Sequence, residues 1–246
     1  MRPATKSHPL IPDHLHNDVV TGKFTKAEAS IFLASGKAHL HSTQSSQRDS
    51  DAIATIEGVG NASIPTYSWE VLTPSVSTIT ESGTRRHFIE NLLSGNPLLN
   101  RDLSERLDII LEELLTNALY HGYRNTKGEF KYRRTDTVNL SQDEAITVGL
   151  SATPHGVFLS VKDMGGNLRY ENIRESFLRC YRDTGPQIQS KERGAGLGWY
   201  MVFESTTHLK VVVERGKSTE ISLWIARKSY QRPNEFSFNF FLRSES

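Results

Sequence analysis

The chain has 246 residues, and its 29 Lys and Arg nearly balance its 28 Asp and Glu, so no strong overall field would draw it to nucleic acid or to an acidic membrane. The length allows one sizeable domain with an extension, or two small domains. Cys180 is the one cysteine, which excludes an internal disulfide and a cysteine-based metal cluster. The sequence has no apolar run of the roughly 20 residues that cross a bilayer, and its N-terminus lacks the apolar core of a signal peptide. We therefore expect a cytoplasmic protein.

The first 65 residues differ in composition from the rest of the chain. Thr25-Lys-Ala-Glu28 has the pattern of a capping box, and the apolar residues that follow it predict a short helix. Residues 41–65 are rich in Ser, Gln, Asp, Gly and Asn, which is the composition of a linker or a loose arm. We assign residues 1–65 to an N-terminal extension or linker whose role the sequence does not indicate.

Regular structure is predicted from Tyr67 onward. Residues 66–228 form the main predicted domain, and residues 229–246 form an aromatic tail in which Phe236, Phe238 and Phe240 alternate. Strands and helices mix without strict βαβ alternation, and hairpins are present, which favours an α+β sandwich. The strands are predicted at 67–72, 145–151, 157–161, 209–214 and 220–226, and the helices at 84–94, 102–119, 171–181 and 199–206.

The helix over 102–119 carries a polar pair next to its apolar stripe. Glu113 and Asn117 are one helical turn apart at the edge of that stripe, where a side chain can face a pocket. An amide oxygen can bind Mg²⁺, and a carboxylate near a γ-phosphate can act as a base. The alternative is an ordinary surface pair on an amphipathic helix.

Two glycine-containing stretches follow. Asp163 ends an apolar strand and precedes Gly165-Gly166, where a carboxylate can accept from an adenine amino group, although a turn aspartate has the same pattern. The loop Gly194-Ala-Gly-Leu-Gly198 runs into a helix, so its backbone N–H groups and the helix N-terminus form an anion site. The loop is not a Walker A motif, because no Lys-Ser/Thr follows it.

These three stretches together resemble a known family. Their order and spacing are similar to the N, G1 and G2 boxes of the histidine-kinase-like ATPase superfamily, which includes histidine kinases and DNA gyrase. The run from Glu113 to Tyr123 most resembles the anti-sigma-factor serine kinases. The resemblance covers about residues 67–227. It implies the Bergerat fold, a two-layer α/β sandwich with a mostly antiparallel mixed sheet and helices on one face.

The resemblance also implies roles for individual residues. Asn117 would bind Mg²⁺, Glu113 would be the catalytic general base, and Asp163 would read the adenine of ATP. Residues 166–193 would be the ATP lid. Asn167 stands where the G1 box has its second glycine, a departure that would stiffen the lid or shift its hinge. The remaining cofactor-binding residues would be Gly165, Gly194, Gly196, Leu197 and Gly198, which shape the lid and the phosphate loop.

The implied function is an ATP-dependent serine/threonine protein kinase of the anti-sigma type. Its substrate would be a small protein of the anti-anti-sigma type, its second partner would be a sigma factor, and it could form a homodimer. Two alternatives stay open: a nucleotide-gated interaction module without transferase activity, and an ATPase domain whose phosphoacceptor lies on another chain. The histidines that could accept phosphate in this chain, which we expect to be ordinary surface residues, are His14, His16, His39, His41 and His87.

Overall fold

The computed structural model describes residues 19–42, 75–182, 198–227 and 236–243. Within these ranges eight strands form one sheet in the order β1-β2-β8-β6-β7-β5-β4-β3. The pairs β1–β2 and β6–β8 are parallel, and the other neighbouring pairs are antiparallel. The strands are β1 (Val19–Gly22), β2 (His39–Ser42), β3 (Ser75–Ile79), β4 (Ile146–Ala152), β5 (Gly156–Asp163), β6 (His208–Glu214), β7 (Ser218–Ala226) and β8 (Phe236–Arg243).

The helices form a second layer on one face of this sheet, so the predicted α+β sandwich is confirmed. Leu209, Leu223 and Leu159 lie side by side across β6, β7 and β5 and are buried. They share one apolar core with the stripe of the long central helix, in which Leu107 and Leu111 are fully buried. The helices are α1 (Lys26–Ala34), α2 (Arg85–Leu93), α3 (Arg101–His121), α4 (Tyr170–Arg182) and α5 (Gly198–Ser205).

The N-terminal segment is part of the sheet, whereas the sequence placed residues 1–65 in an extension outside the main domain. The capping box is confirmed: the Thr25 hydroxyl accepts from the Glu28 backbone N–H, and the Glu28 carboxylate accepts from the Thr25 backbone N–H. Residues 19–42 then form β1, α1 and β2, and β2 pairs with β8. We call residues 19–42 the N-terminal unit. The predicted strand at 67–72 lies outside the described residues.

The aromatic tail supplies an interior strand. Strand β8 lies between β2 and β6, so both of its edges are paired. Phe236, Phe238 and Phe240 are all buried, and the ring centroid of Phe236 lies 5.6 Å from that of Phe203 on α5. Alternation places one face of the strand in the core, and that face holds the three rings.

Two histidines differ from their expected surface position. His39 and His41 in β2 are 4% and 3% exposed. Burial lowers the pKa of His39 to about 4 and that of His41 to about 3, so both rings are neutral at pH 7. His87 on α2 is exposed, as expected, and hydrogen bonds to Asn91. None of the helices in the described ranges combines the length and the apolar character that a membrane span needs.

Candidate nucleotide-binding site

A pocket of about 250 Å³ opens between α3, α4 and α5 and the strands β5 and β7. Its wall mixes apolar side chains from the sheet and α3, such as Val161, Ile221 and Leu114, with polar groups from α3 and α4. An apolar cleft with a few convergent polar groups is the usual form of a ligand site. Glu113, Asn117 and Asp163, which the sequence singled out separately, all line it.

The polar pair on α3 is internally hydrogen-bonded. Asn117 Nδ2 donates to Glu113 Oε1 over 2.8 Å, because residues four apart on a helix lie one above the other. Both side chains are half-buried at the edge of the apolar stripe, the position that the sequence predicts. The contact occupies the amide nitrogen of Asn117 and leaves its Oδ1 as the atom that can meet a cation.

The Glu113 carboxylate also packs against the first residue of α5. A Cβ atom on Gly198 would lie 1.8 Å from Glu113 Cδ and 2.0 Å from its Oε1. Position 198 therefore accepts no side chain while Glu113 keeps this place. Gly198 is the last glycine of the predicted phosphate loop, and its close approach brings the N-terminus of α5 to the catalytic candidate.

Asp163 ends β5, lines the pocket and is 6% exposed. Its Oδ1 accepts from the backbone N–H groups of Gly165 (2.9 Å) and Gly166 (3.3 Å). Burial raises the pKa of Asp163 to about 6, against the opposing effect of these two donors. A buried carboxyl that is charged above about pH 6 can accept from an amino group at pH 7.

The turn after Asp163 is pressed against the end of α3. A Cβ atom on Gly165 would lie 1.7 Å from the carbonyl oxygen of Gly122, so only glycine fits. Asn167 Nδ2 donates to the carbonyls of Gly122 (2.7 Å) and Gly165 (2.9 Å). A glycine at position 167 could not make this tie, so the departure from the family pattern adds a contact at the start of the predicted lid.

Part of the predicted lid is a packed helix. Residues 170–182 form α4, in which Ile173 and Phe177 are buried, while Asn172, Glu175 and Ser176 line the pocket. The remainder of the lid, 183–193, lies outside the described residues, as do Gly194, Gly196 and Leu197 of the phosphate loop. Their predicted roles stay predictions.

Among the pocket residues that were missed at the level of sequence are Thr219, Arg134 and His121. Thr219 lies directly opposite Asp163 in the β5–β7 pairing and is 2% exposed, a proximity that depends on strand pairing. Arg134 reaches the pocket from the loop between α3 and β4. His121 was detectable, because it follows Asn117 by four positions and so continues the same helix edge.

His121 lies on the same helix edge as Glu113 and Asn117 and lines the pocket. Its Nδ1 is buried and has no hydrogen-bond partner among the described residues, and its ring centroid lies 4.8 Å from that of Phe130. Burial lowers its pKa, and the nearby charges of Arg134 and Arg124 add to this effect. An unpaired buried nitrogen beside Arg134 offers a bound ligand a further polar contact.

The site fits a divalent cation only together with a phosphate ligand. No group of three His, Cys, Asp or Glu side chains that could hold a metal occurs within the described residues. Mg²⁺ is typically held by one or two protein oxygens and by substrate phosphates, and Asn117 Oδ1 can supply one such oxygen. The described residues therefore offer one oxygen ligand, and a bound Mg²⁺ would take its other ligands from phosphates and water.

Comparison with known proteins agrees with this geometry. A family model for the histidine kinase-like ATPase domain matches residues 77–224, which is more than half of the chain. The matched range holds Glu113, Asn117, Asp163 and the start of α5, and it leaves out the N-terminal unit and β8. Among curated proteins, none matches the chain.

Proposed function

The chain belongs to the histidine kinase-like ATPase domain family, and we propose that it is an ATP-dependent serine/threonine protein kinase of the anti-sigma-factor type. The observation that carries the proposal is the placement of Glu113. Its carboxylate lines the pocket, accepts from Asn117 and packs on Gly198 at the start of α5. A carboxylate held in this way next to the predicted phosphate loop is positioned to deprotonate a hydroxyl.

The proposed reaction is a direct phosphoryl transfer. Glu113 takes the proton of a Ser or Thr hydroxyl of the protein substrate, and the hydroxyl oxygen forms a bond to the γ-phosphorus. The bond between the γ-phosphorus and the β,γ-bridging oxygen breaks, and ADP leaves with that electron pair. Mg²⁺ held at Asn117 would neutralise charge on the phosphates. Arg134, which lines the same pocket, is a further positive charge for the triphosphate.

The opposite end of the pocket suits adenine. Asp163 is charged at pH 7 and Thr219 lies beside it across the β5–β7 pair. Val161 and Ile221 supply apolar contacts for the base. The Asp163 carboxylate would accept from the adenine amino group, which selects adenine over a base that presents a carbonyl at that position.

The proposed partners follow from the same subfamily resemblance. The phosphate acceptor would be a Ser or Thr of a small anti-anti-sigma-type protein. A sigma factor would be the second partner, whose release the phosphorylation state controls. A homodimer would present two such sites.

Labelling tests the proposal. The protein is incubated with Mg²⁺, γ-labelled ATP and a lysate of its source, and the labelled protein and residue are identified. We expect label on Ser or Thr, which is stable to acid, and a loss of roughly 10²–10⁴-fold with Glu113→Gln, the usual effect of removing a positioned base. Glutamine can still accept from Asn117, so this variant keeps the local hydrogen bond.

The other outcomes separate the alternatives. An acid-labile label on a histidine of another chain would favour the ATPase domain with a separate phosphoacceptor. Binding of Mg–ATP without any label transfer would favour the nucleotide-gated interaction module. Undiminished labelling by Glu113→Gln would contradict the general-base role.

A further inference from the structure

Helix α1 lies outside the family match, yet its first residue holds the end of α5. Lys26 Nζ donates to the carbonyls of Phe203 (2.6 Å), Glu204 (2.8 Å) and Thr206, and it lies 5.1 Å from the centroid of the Phe203 ring. The last carbonyls of a helix have no partners within the helix and form the negative end of its dipole. Burial lowers the pKa of Lys26 to about 8, so at pH 7 its ammonium is still charged and attaches α1 to these carbonyls at the end of α5.

The other end of α1 is fastened to α4. The Tyr170 hydroxyl donates to the carbonyl of Lys37, just past the helix, and contacts that of Leu33 at 3.2 Å. Arg174 Nε donates to the carbonyl of Ala34 over 2.8 Å. Helix α1 therefore bridges α4 and α5, the two helices that flank residues 183–197.

Both bridged helices also line or approach the pocket, through residues other than those that contact α1. Helix α4 lines it with Asn172, Glu175 and Ser176, and α5 lines it with Trp199 and contacts Glu113 through Gly198. The adenine end differs, because Asp163 and Thr219 lie on the strands β5 and β7. The bridge thus acts on the side of the site where the triphosphate is expected.

We propose that Lys26 is a positioning residue for the triphosphate: from outside the pocket, it holds α5, and with it the Gly198–Glu113 contact, at the distance from α4 that the phosphates require. The inference rests on the ATP binding of the proposed function. Packed, hydrogen-bonded elements of this kind carry energetic coupling between separate sites. Such coupling is reciprocal, so nucleotide binding would also tighten the attachment of the N-terminal unit.

The test compares two ligands on three proteins. The wild type, Lys26→Met and the matched control Lys23→Met, an exposed lysine of the same segment, are titrated calorimetrically with a nonhydrolysable Mg–ATP analogue and with adenosine. We expect Lys26→Met to lower the affinity for the analogue roughly tenfold, a change of about 1.4 kcal/mol in binding free energy. We expect adenosine affinity to change less than twofold and Lys23→Met to match the wild type.

Each other result is decisive. An equal loss for both ligands would mean that Lys26 supports the whole domain rather than the phosphate side, and unchanged affinities would also overturn the inference. Failure of the wild type to bind the analogue would overturn the proposed function as well. If Lys26→Met does not fold, Tyr170→Phe removes the hydroxyl at the other end of the bridge. Tyr170→Phe should then weaken binding of the analogue but not binding of adenosine. If both affinities match those of the wild type, or if both fall equally, the inference is overturned.

Discussion

Asn117 has one amide atom committed to the protein and one available to a ligand. Its Nδ2 donates to Glu113, so the Oδ1 is the atom that can coordinate Mg²⁺. We expect Asn117→Ala to weaken binding of Mg–ATP by at least about tenfold and to leave metal-free binding in EDTA almost unchanged. Calorimetry with and without Mg²⁺ measures both. Thr116→Ala, one position away and outside the pocket wall, is the control, and unchanged Mg–ATP affinity in Asn117→Ala would remove this residue from the site.

Asp163 is expected to make nucleotide affinity dependent on pH. Its pKa is raised to about 6 by burial, so the folded protein holds the carboxylate above that pH and the neutral acid below it. The carboxylate is the stronger acceptor for the adenine amino group, because the neutral acid has lost its charge and turned one oxygen into a donor. We expect ATP affinity to be constant above about pH 7 and to fall by up to about tenfold per pH unit below pH 6.

The nucleotide's own phosphates titrate in the same range, so a control is needed. The variant Asp163→Asn has no titrating carboxyl at this position, and its remaining pH dependence reports the nucleotide alone. The difference between the two titration curves is the contribution of Asp163. If the two curves run parallel from pH 5 to pH 8, Asp163 does not read the base as a carboxylate.

At the level of elements, two glycines mark contacts of different kinds. A Cβ on Gly165 would meet the backbone of Gly122, whereas a Cβ on Gly198 would meet the end of the Glu113 side chain. Backbone cannot move out of the way, so we expect Gly165→Ala to destabilise the fold by about 1–3 kcal/mol or more. Glu113 can rotate away, so Gly198→Ala should retain the wild-type melting temperature and lose phosphoryl transfer. Thermal unfolding and the labelling assay measure the two effects, and a stable, inactive Gly165→Ala would reverse our assignment.

The elements themselves were largely predictable because their signals are local. The capping box at Thr25 predicted the start of α1, and the apolar stripe of α3 placed Glu113 and Asn117 correctly at its edge. Strand β2 was not recognised, because His39-Leu-His-Ser42 has one apolar residue. Its strand conformation depends on pairing with β8, which the local sequence does not reveal. The same reason hid Thr219, whose position beside Asp163 depends on the register of β5 with β7.

At the scale of the whole molecule, β8 joins the N-terminal unit to the rest of the sheet. Truncation after Lys228 would remove the strand between β2 and β6 and the buried rings of Phe236, Phe238 and Phe240. Loss of one buried phenylalanine side chain costs about 3–5 kcal/mol, so we expect the shortened chain to melt far below the wild type or not to fold. Differential scanning calorimetry at fixed concentration measures this. A shortened chain with wild-type stability that no longer self-associates would instead indicate a docking role for the tail.

The pairing of β2 with β8 has a consequence for synthesis of the chain. Leu40 lies opposite Phe238, so β2 leaves the ribosome long before its partner strand β8 is synthesised. Contacts between distant positions form slowly because the intervening chain must first be ordered, and translation delays this contact until β8 has emerged. During synthesis, residues 19–42 therefore lack their partner strand β8 until it has been made. The attachment of α1 to α4 and α5 would then be completed last. A chain that lacks β8 would therefore contain the pocket residues but would bind a triphosphate weakly.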